Sequence, residues 1–178
     1  MKGNKAKGSF DIRRREASRM RIQEEIRRHV NHGHTLPILL LGPPGWGKST
    51  TMARVAHLAP SWITGAVKVL VCFVGLTGES RNVRLVLQNL CVQLAETYSH
   101  HTELSEGLPQ LVNEFHSLLG QLRADSPVIL VLDGLDDLSE EHGADLSWLS
   151  TPLPPHVHLV LSATTDSACA HTLQVRTG

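Results

Sequence analysis

The chain has 178 residues, 41% of them hydrophobic, and 17 basic side chains balanced by 17 acidic ones. That length suits one domain with a real core, and no apolar run approaches the ~20 residues a membrane helix requires. The polar, basic N-terminus lacks the apolar centre of a secretory signal. The three scattered cysteines, Cys72, Cys91 and Cys169, fit neither a disulfide framework nor a zinc spacing. A reducing, cytoplasmic setting is therefore expected.

The neutral net charge conceals an asymmetry. Residues 1–30 carry ten Lys/Arg against four Asp/Glu, and the remainder seven against thirteen. A basic arm can mark a nucleic-acid or membrane contact, but it is more often a solvated helical face. Single-strand binding calls for aromatic stacking platforms among the cations. Those are missing, which argues against nucleic acid.

In chain order, residues 1–9 read as a disordered lead-in and 10–33 as a basic N-terminal helix. Met20, Ile22, Ile26 and Val30 are that helix's apolar contacts, and Asn31-His32-Gly33 is its stop. The run 36–41, LPILLL, has the character of a strand buried on both faces. A glycine-rich segment follows, then a helix over 50–58. A second strand is expected over about 67–74. Helical spacing then recurs from 82 to about 97 and again from Leu108 to Leu122. A third strand spans 128–132, and a fourth spans 157–162 after the proline-rich turn at 152–155. Strands alternating with helices predict crossover connections and a mainly parallel sheet, an α/β fold.

Gly42-Pro43-Pro44-Gly45-Trp46-Gly47-Lys48-Ser49 carries the strongest chemical signal. A triphosphate crowds several negative charges together and needs many donors at short range. Glycines let the backbone wrap closely enough to aim consecutive N–H groups at phosphate oxygens, and the following helix adds its positive end. Lys48 can reach the β- and γ-phosphates, and the Ser49 hydroxyl can complete a magnesium shell. Pro43 and Pro44 donate no N–H, so the cradle begins at Gly45. A chance Gly/Pro-rich turn would not require a strand just before it and a helix just after. Trp46 has two readings, a cover over the phosphates or a packing contact.

Asp133 ends the third strand, at the sheet edge that also carries the phosphate loop, and is expected to hold Mg²⁺ directly or through water. A turn-forming Asp-Gly pair is the plainer alternative. Asp136 and Asp137 follow in VILVLDGLDDLS. Either could orient the attacking water of hydrolysis, or cap a helix suggested by residues 138–141. Paired histidines at 32/34, 100/101 and 156/158 read as loop and surface residues. Cys72 and Cys91 read as small core hydrophobes, Trp148 as a core anchor, and Arg81 as a solvated helix-start residue or a contact to a phosphate or a neighbouring subunit.

Together, GPPGWGKST and LVLDGLDDL resemble the STAND class of P-loop ATPases, and within it the NACHT domain. Gly134, Asp136 and Asp137 match that group's small residue and two acids after the metal-binding Asp. The strings CFVGLTGESRNVRLVLQNLCVQL and WLSTPLPPHVHLVLSATTDS look closer still to NACHT-and-WD-repeat proteins and their telomerase-associated and nephrocystin-like relatives. The resemblance covers about residues 35–165. It implies a three-layer P-loop NTPase over 34–178, truncated before the helical and winged-helix parts.

The function implied is an ATP-dependent switch with slow hydrolysis in a signalling or scaffold protein, with nucleotide-dependent self-association. Protein partners would be recognised by regions absent from this chain. ATP is implied over GTP or another NTP, together with Mg²⁺. Gly42, Gly45, Trp46, Gly47, Lys48, Ser49 and Thr50 would bind nucleotide, Ser49 and Asp133 the metal, and Asp137, with Asp136 beside it, would supply the hydrolytic acid. Many relatives end the fourth strand in Thr-Ser-Arg, which senses the γ-phosphate, whereas this chain has Ser162-Ala163-Thr164-Thr165. Two other functions compete: a non-enzymatic interaction module with vestigial nucleotide binding, and a small-molecule kinase. A kinase needs an arginine-rich lid, yet only five Lys/Arg follow residue 54.

Overall fold

The computed structural model describes residues 4–97, 104–139, 146–149 and 152–177. Four parallel strands, β1 (Ile38–Leu41), β2 (Lys68–Phe73), β3 (Val128–Asp133) and β4 (Val157–Ala163), form one sheet in the order β1-β4-β3-β2. Five helices, α1 (Asn4–Asn31), α2 (Lys48–Leu58), α3 (Val83–Thr97), α4 (Leu108–Gly120) and α5 (Ala168–Thr177), cover its two faces. The expected three-layer α/β arrangement is present.

Successive side chains of a strand point to opposite faces, so an unbroken apolar strand feeds two cores. β3 does this literally. Val128, Leu130 and Leu132 pack with the residues of α3, α4 and α5, including Leu87, Leu90, Leu119 and Leu173. Ile129 and Val131 pack with Met52 and Val55 of α2 and with Ile26 and Val30 of α1. Every residue of β3 and β4 is buried, whereas β1 is half-buried throughout. The expectation that the run 36–41 is buried on both faces is corrected for a topological reason: β1 lies at an end of the strand order.

α1 begins at Asn4, inside the stretch expected to be disordered and six residues before the helix expected at 10. Lys5, Ala6 and Lys7 are good helix formers, and extending an established helix costs far less than nucleating one. Its C-terminal half is not a solvated arm, since Gln23, Ile26 and Val30 are buried. The helix suggested for 138–141 does not start at Leu138, which is extended with φ −63° and ψ 136°. Residues 140–145 and the pair His100/His101 lie outside the described residues.

Trp148 is 2% exposed and meets Phe115 edge-on at 6.2 Å between ring centroids, as a core anchor should. Burial pushes the Cys91 thiol up to about 12, with Glu114 adding to the effect, so it behaves as a hydrophobe. Cys72 is half-buried. Among the described residues no helix is long and apolar enough to cross a membrane.

Two consequences follow for stability. Met52 is fully buried between α2 and the sheet, so Met52→Ala is expected to cost about 2–5 kcal/mol in urea unfolding. Val175→Ala, at an 85% exposed position, should fall within about 0.5 kcal/mol of the parent. His158 is 8% exposed, and its Nδ1 has no hydrogen-bond partner among the described residues. Burial, followed by His29 and His156, holds its pKa below the ordinary 6.5. The unfolded chain then binds the proton better, so the stability this residue confers is present above the unfolded value and lost as pH falls below it. Urea midpoints should drop between pH 7.5 and 5, and by less in His158→Gln.

Candidate functional site

The described sheet presents the C-terminal ends of all four strands along one edge. β1 is followed by α2 on one face, and β4 by α5 on the other. Connections that leave neighbouring parallel strands toward opposite faces open a crevice between them, the usual ligand position in open α/β sheets. The phosphate loop, residues 42–49, lies at that point.

The loop's shape follows from its glycines. Gly47 has φ +83° and ψ 28°, a left-handed conformation that glycine adopts without the steric penalty of a side chain, and it leads directly into α2 at Lys48. No side chain caps α2, so the donors of its first turn are offered to the crevice. Thr51 is buried and ties the turn down. Its N–H and hydroxyl both donate to the Gly47 carbonyl at 3.0 Å. Lys48 Nζ donates to the carbonyls of Gly42 at 2.7 Å and Pro43 at 3.3 Å, and lies 3.5 Å from Thr164 Oγ1. Trp46 is 75% exposed, so it is not a packing residue. Ser49 and Thr50 are exposed on the first turn of α2.

Asp133 is 5% exposed at the end of β3. The hydroxyl of Ser162, at the matching end of β4, donates to its Oδ1 and accepts the Gly134 N–H at 3.0 Å. A fully buried serine thus holds the carboxylate in place. β1, which leads into the loop, and β3, which ends in Asp133, lie two interstrand spacings apart, about 10 Å.

The two later acids separate. A single 3-10 turn, Leu135–Asp137, follows Gly134. Asp136 Oδ1 accepts the Thr164 N–H at 2.9 Å, linking this turn to the end of β4. Asp137 is exposed and turns the other way, toward β2: a Cβ built on Gly75 would lie 2.8 Å from its Oδ2. Gly134, with φ +76°, admits no side chain easily either, since a Cβ there would meet the Val74 carbonyl oxygen at 3.2 Å. This accounts physically for the small residue after Asp133.

Three residues of the site were not legible as such. Ser162 lies near the end of β4 and Thr164 just beyond it; the sequence marked their place at the end of the fourth strand but not their contacts with Asp133 and Asp136. Arg19 comes from α1, 28 residues before Gly47 in sequence. Its guanidinium reaches the loop so closely that a Cβ on Gly47 would lie 2.7 Å from one of its nitrogens. Arg19, Ile22, Leu40, Gly45, Trp46 and Lys48 are among the walls of a cavity of ≈ 440 Å³ beside the loop. A larger cavity of ≈ 640 Å³ is lined by Thr35, Pro127 and Val157, at the N-terminal ends of the strands. It is remote from the loop donors and from Asp133. Arg81 is exposed, and its carbonyl accepts the Ser139 N–H at 2.9 Å.

Comparison with known proteins shows the family. A family model described as AAA ATPase domain matches residues 12–162. The chain is 30% identical over 159 residues to NACHT domain- and WD repeat-containing protein 1 of Mus musculus, covering 86% of this chain and 10% of that protein. It is 34% identical over 141 residues to NACHT and WD repeat domain-containing protein 2 of Homo sapiens, covering 73% and 8%. Telomerase protein component 1 of Rattus norvegicus is 27% identical over 165 residues, covering 88% and 6%. The chain therefore spans about a tenth or less of these relatives. Its fold matches the Aeropyrum pernix ORC1 protein, solved in complex with DNA, with a TM-score of 0.54 at 20% identity, over 92% of this chain and 43% of that one. The likeness to NACHT-and-WD-repeat and telomerase-associated proteins expected from the loops is found, and with the family match spanning most of its length, this chain belongs to the AAA ATPase domain family.

Proposed function

We propose that residues 34–178 form the Mg-ATP-binding core of a NACHT-type signalling or scaffold ATPase, a switch that nucleotide sets and slow hydrolysis resets. The observation that carries this reading is a pair of polar links at the C-terminal ends of β3 and β4, facing Lys48. Lys48 approaches Thr164, Thr164 is held by Asp136, and Asp133 is held by Ser162. A turn of purely structural origin has no need of a buried carboxylate opposite it.

The residues fit a magnesium nucleotide. Gly45, Gly47 and the first turn of α2, including Ser49 and Thr50, present backbone donors to phosphate oxygens, and Gly42 and Lys48 flank them. Lys48 exchanges its loop-carbonyl contacts for phosphate oxygens. The Ser49 hydroxyl and Asp133 supply hard oxygen ligands for the cation, whose chemistry is to neutralise charge on the phosphates. Ser162 keeps the Asp133 carboxylate oriented and Asp136 positions the end of β4. Asp137 is the acid that orients the attacking water. Its location on the β2 side of Asp133 accords with a slow turnover, because phosphoryl transfer depends on positioning. Trp46, in the wall of the cavity beside the loop, would cover bound nucleotide.

The wider roles rest on the relatives. Nucleotide-dependent self-association, protein partners recognised by other regions of a longer chain, and a cytoplasmic location follow from the likeness to NACHT-and-WD-repeat proteins and from the three free cysteines. The kinase alternative is not favoured by any feature of the site. The interaction-module alternative differs in one respect, since it predicts that Lys48→Ala leaves partner binding intact.

Saturating Mg-ATP at about 100 times its dissociation constant should stabilise the native state by about 2.7 kcal/mol, a rise in melting temperature on the order of 5–10 °C. Lys48→Ala and Asp133→Ala should abolish that rise, and no rise in the parent protein would refute the assignment. Asp137→Asn should keep the nucleotide-induced shift while lowering phosphate release by at least about 10²-fold. Unchanged release would remove Asp137 from the reaction.

A further inference from the structure

We propose that Arg19 is a second phosphate-binding cation of this site, delivered in cis by α1. This rests on the nucleotide reading above and adds a residue that the loop motif does not contain. The argument begins with helical spacing. Arg19 lies seven residues before Ile26 and eleven before Val30, and side chains at such intervals share one helix face. Ile26 and Val30 are buried against α2 and the sheet, and Gln23 is buried with them. Among the described side chains, the stripe that anchors α1 thus reaches, at its N-terminal side, a cation beside the phosphate loop.

The contact is close and specific. Gly47 gives up to the Arg19 guanidinium the space a side chain would fill, with the nitrogen 2.7 Å from the position of a Cβ. Arg19 is half-buried, yet it makes no hydrogen bond or ion pair within the described residues. Further along the same helix, Arg27 and Arg28 are paired with Glu24 and Glu25. Among the described residues, the wall of the cavity that Arg19 shares with Lys48 has no carboxylate. Two positive groups thus converge on one hollow with no acid among its described walls, an electrostatic arrangement that suits an anion.

Guanidinium is the appropriate group for a phosphate, since its planar fork makes two parallel charge-assisted hydrogen bonds. An N-terminal helix that contributes a phosphate contact also becomes sensitive to the nucleotide, because losing the phosphates frees its anchoring cation. The sequence's basic N-terminal region thereby acquires one residue with a defined task, whereas Arg21, Arg27 and Arg28 of the same helix are exposed.

The test is calorimetric titration of the 178-residue chain with Mg-ATP at 50 and 200 mM salt, using the parent, Arg19→Gln, Arg19→Lys and Lys48→Ala. Arg19→Gln is expected to bind about 10–100-fold more weakly, with a shallower salt dependence because one cation–phosphate contact is gone, and with an unchanged melting temperature in the absence of nucleotide. Arg19→Lys should recover part of the affinity, since it restores the charge without the fork. Affinity of Arg19→Gln within twofold of the parent overturns the proposal. So does a loss of affinity with an unaltered salt dependence, which would mean that Arg19 acts on the base or on the fold. Binding by the parent that Lys48→Ala abolishes and Arg19→Gln preserves sinks this inference alone. Absence of binding by the parent sinks the nucleotide reading and this inference with it.

Discussion

The site depends on a hydrogen bond between two buried polar side chains at the ends of neighbouring strands, Ser162 to Asp133. Burying an ionisable carboxylate at the edge of an apolar sheet is unfavourable unless something compensates for the lost water. Ser162 supplies that compensation, and its oxygen in turn accepts the Gly134 N–H. The arrangement is possible only because β4 pairs with both β1 and β3. That strand order sets the phosphate loop and the acid two strands apart and places a serine hydroxyl between them. Had β3 paired directly with β1, Asp133 would crowd the loop, and no space would separate the lysine from the carboxylate.

The same strand order explains how the body of the protein supports the site. β3 and β4 are buried on both faces, so each feeds two cores at once. α2 is held against the sheet by Met52 and Val55, and α1 is held against α2 by Ile26 and Val30. The loop at the start of α2 is therefore backed by a packed layer, and the positive end of that helix cannot drift from the strand that aims it. On the opposite face, α3 and α4 supply the larger core, including Phe115, Leu119 and the Trp148 contact. That layer contributes nothing chemical. It fixes β2 and β3, and through them the turn that carries Asp136 and Asp137.

Those two acids show how adjacent residues acquire different tasks. In a single 3-10 turn, consecutive side chains leave the axis in different directions. Asp136 reaches the backbone of Thr164 on the β4 side, whereas Asp137 lies beside Gly75 on the β2 side. One joins two loops, and the other keeps its carboxylate exposed to solvent. A pair that is chemically equivalent in sequence is divided by the turn's geometry. The relatives, of which this chain spans a tenth or less, carry much additional chain.

By itself the sequence determined whatever depends on local pattern. The glycine spacing of the loop, the apolar runs of β3 and β4, the helical stripes of α3 and α4, and the parallel α/β class all follow from period, propensity and the donors a phosphate needs. It could also nominate Lys48 and Asp133, because a strand followed by a glycine-rich turn, or by an acid, places those residues at one sheet edge. What it could not supply was anything requiring two distant segments to meet. The half-exposed state of β1 came from its place at the sheet's end, a matter of pairing order. The partner of Asp133, the direction of Asp137 and the approach of Arg19 to Gly47 each join residues with no shared local pattern. Only packing brought them together, because contacts across strands and layers are set by how the two cores close over the sheet.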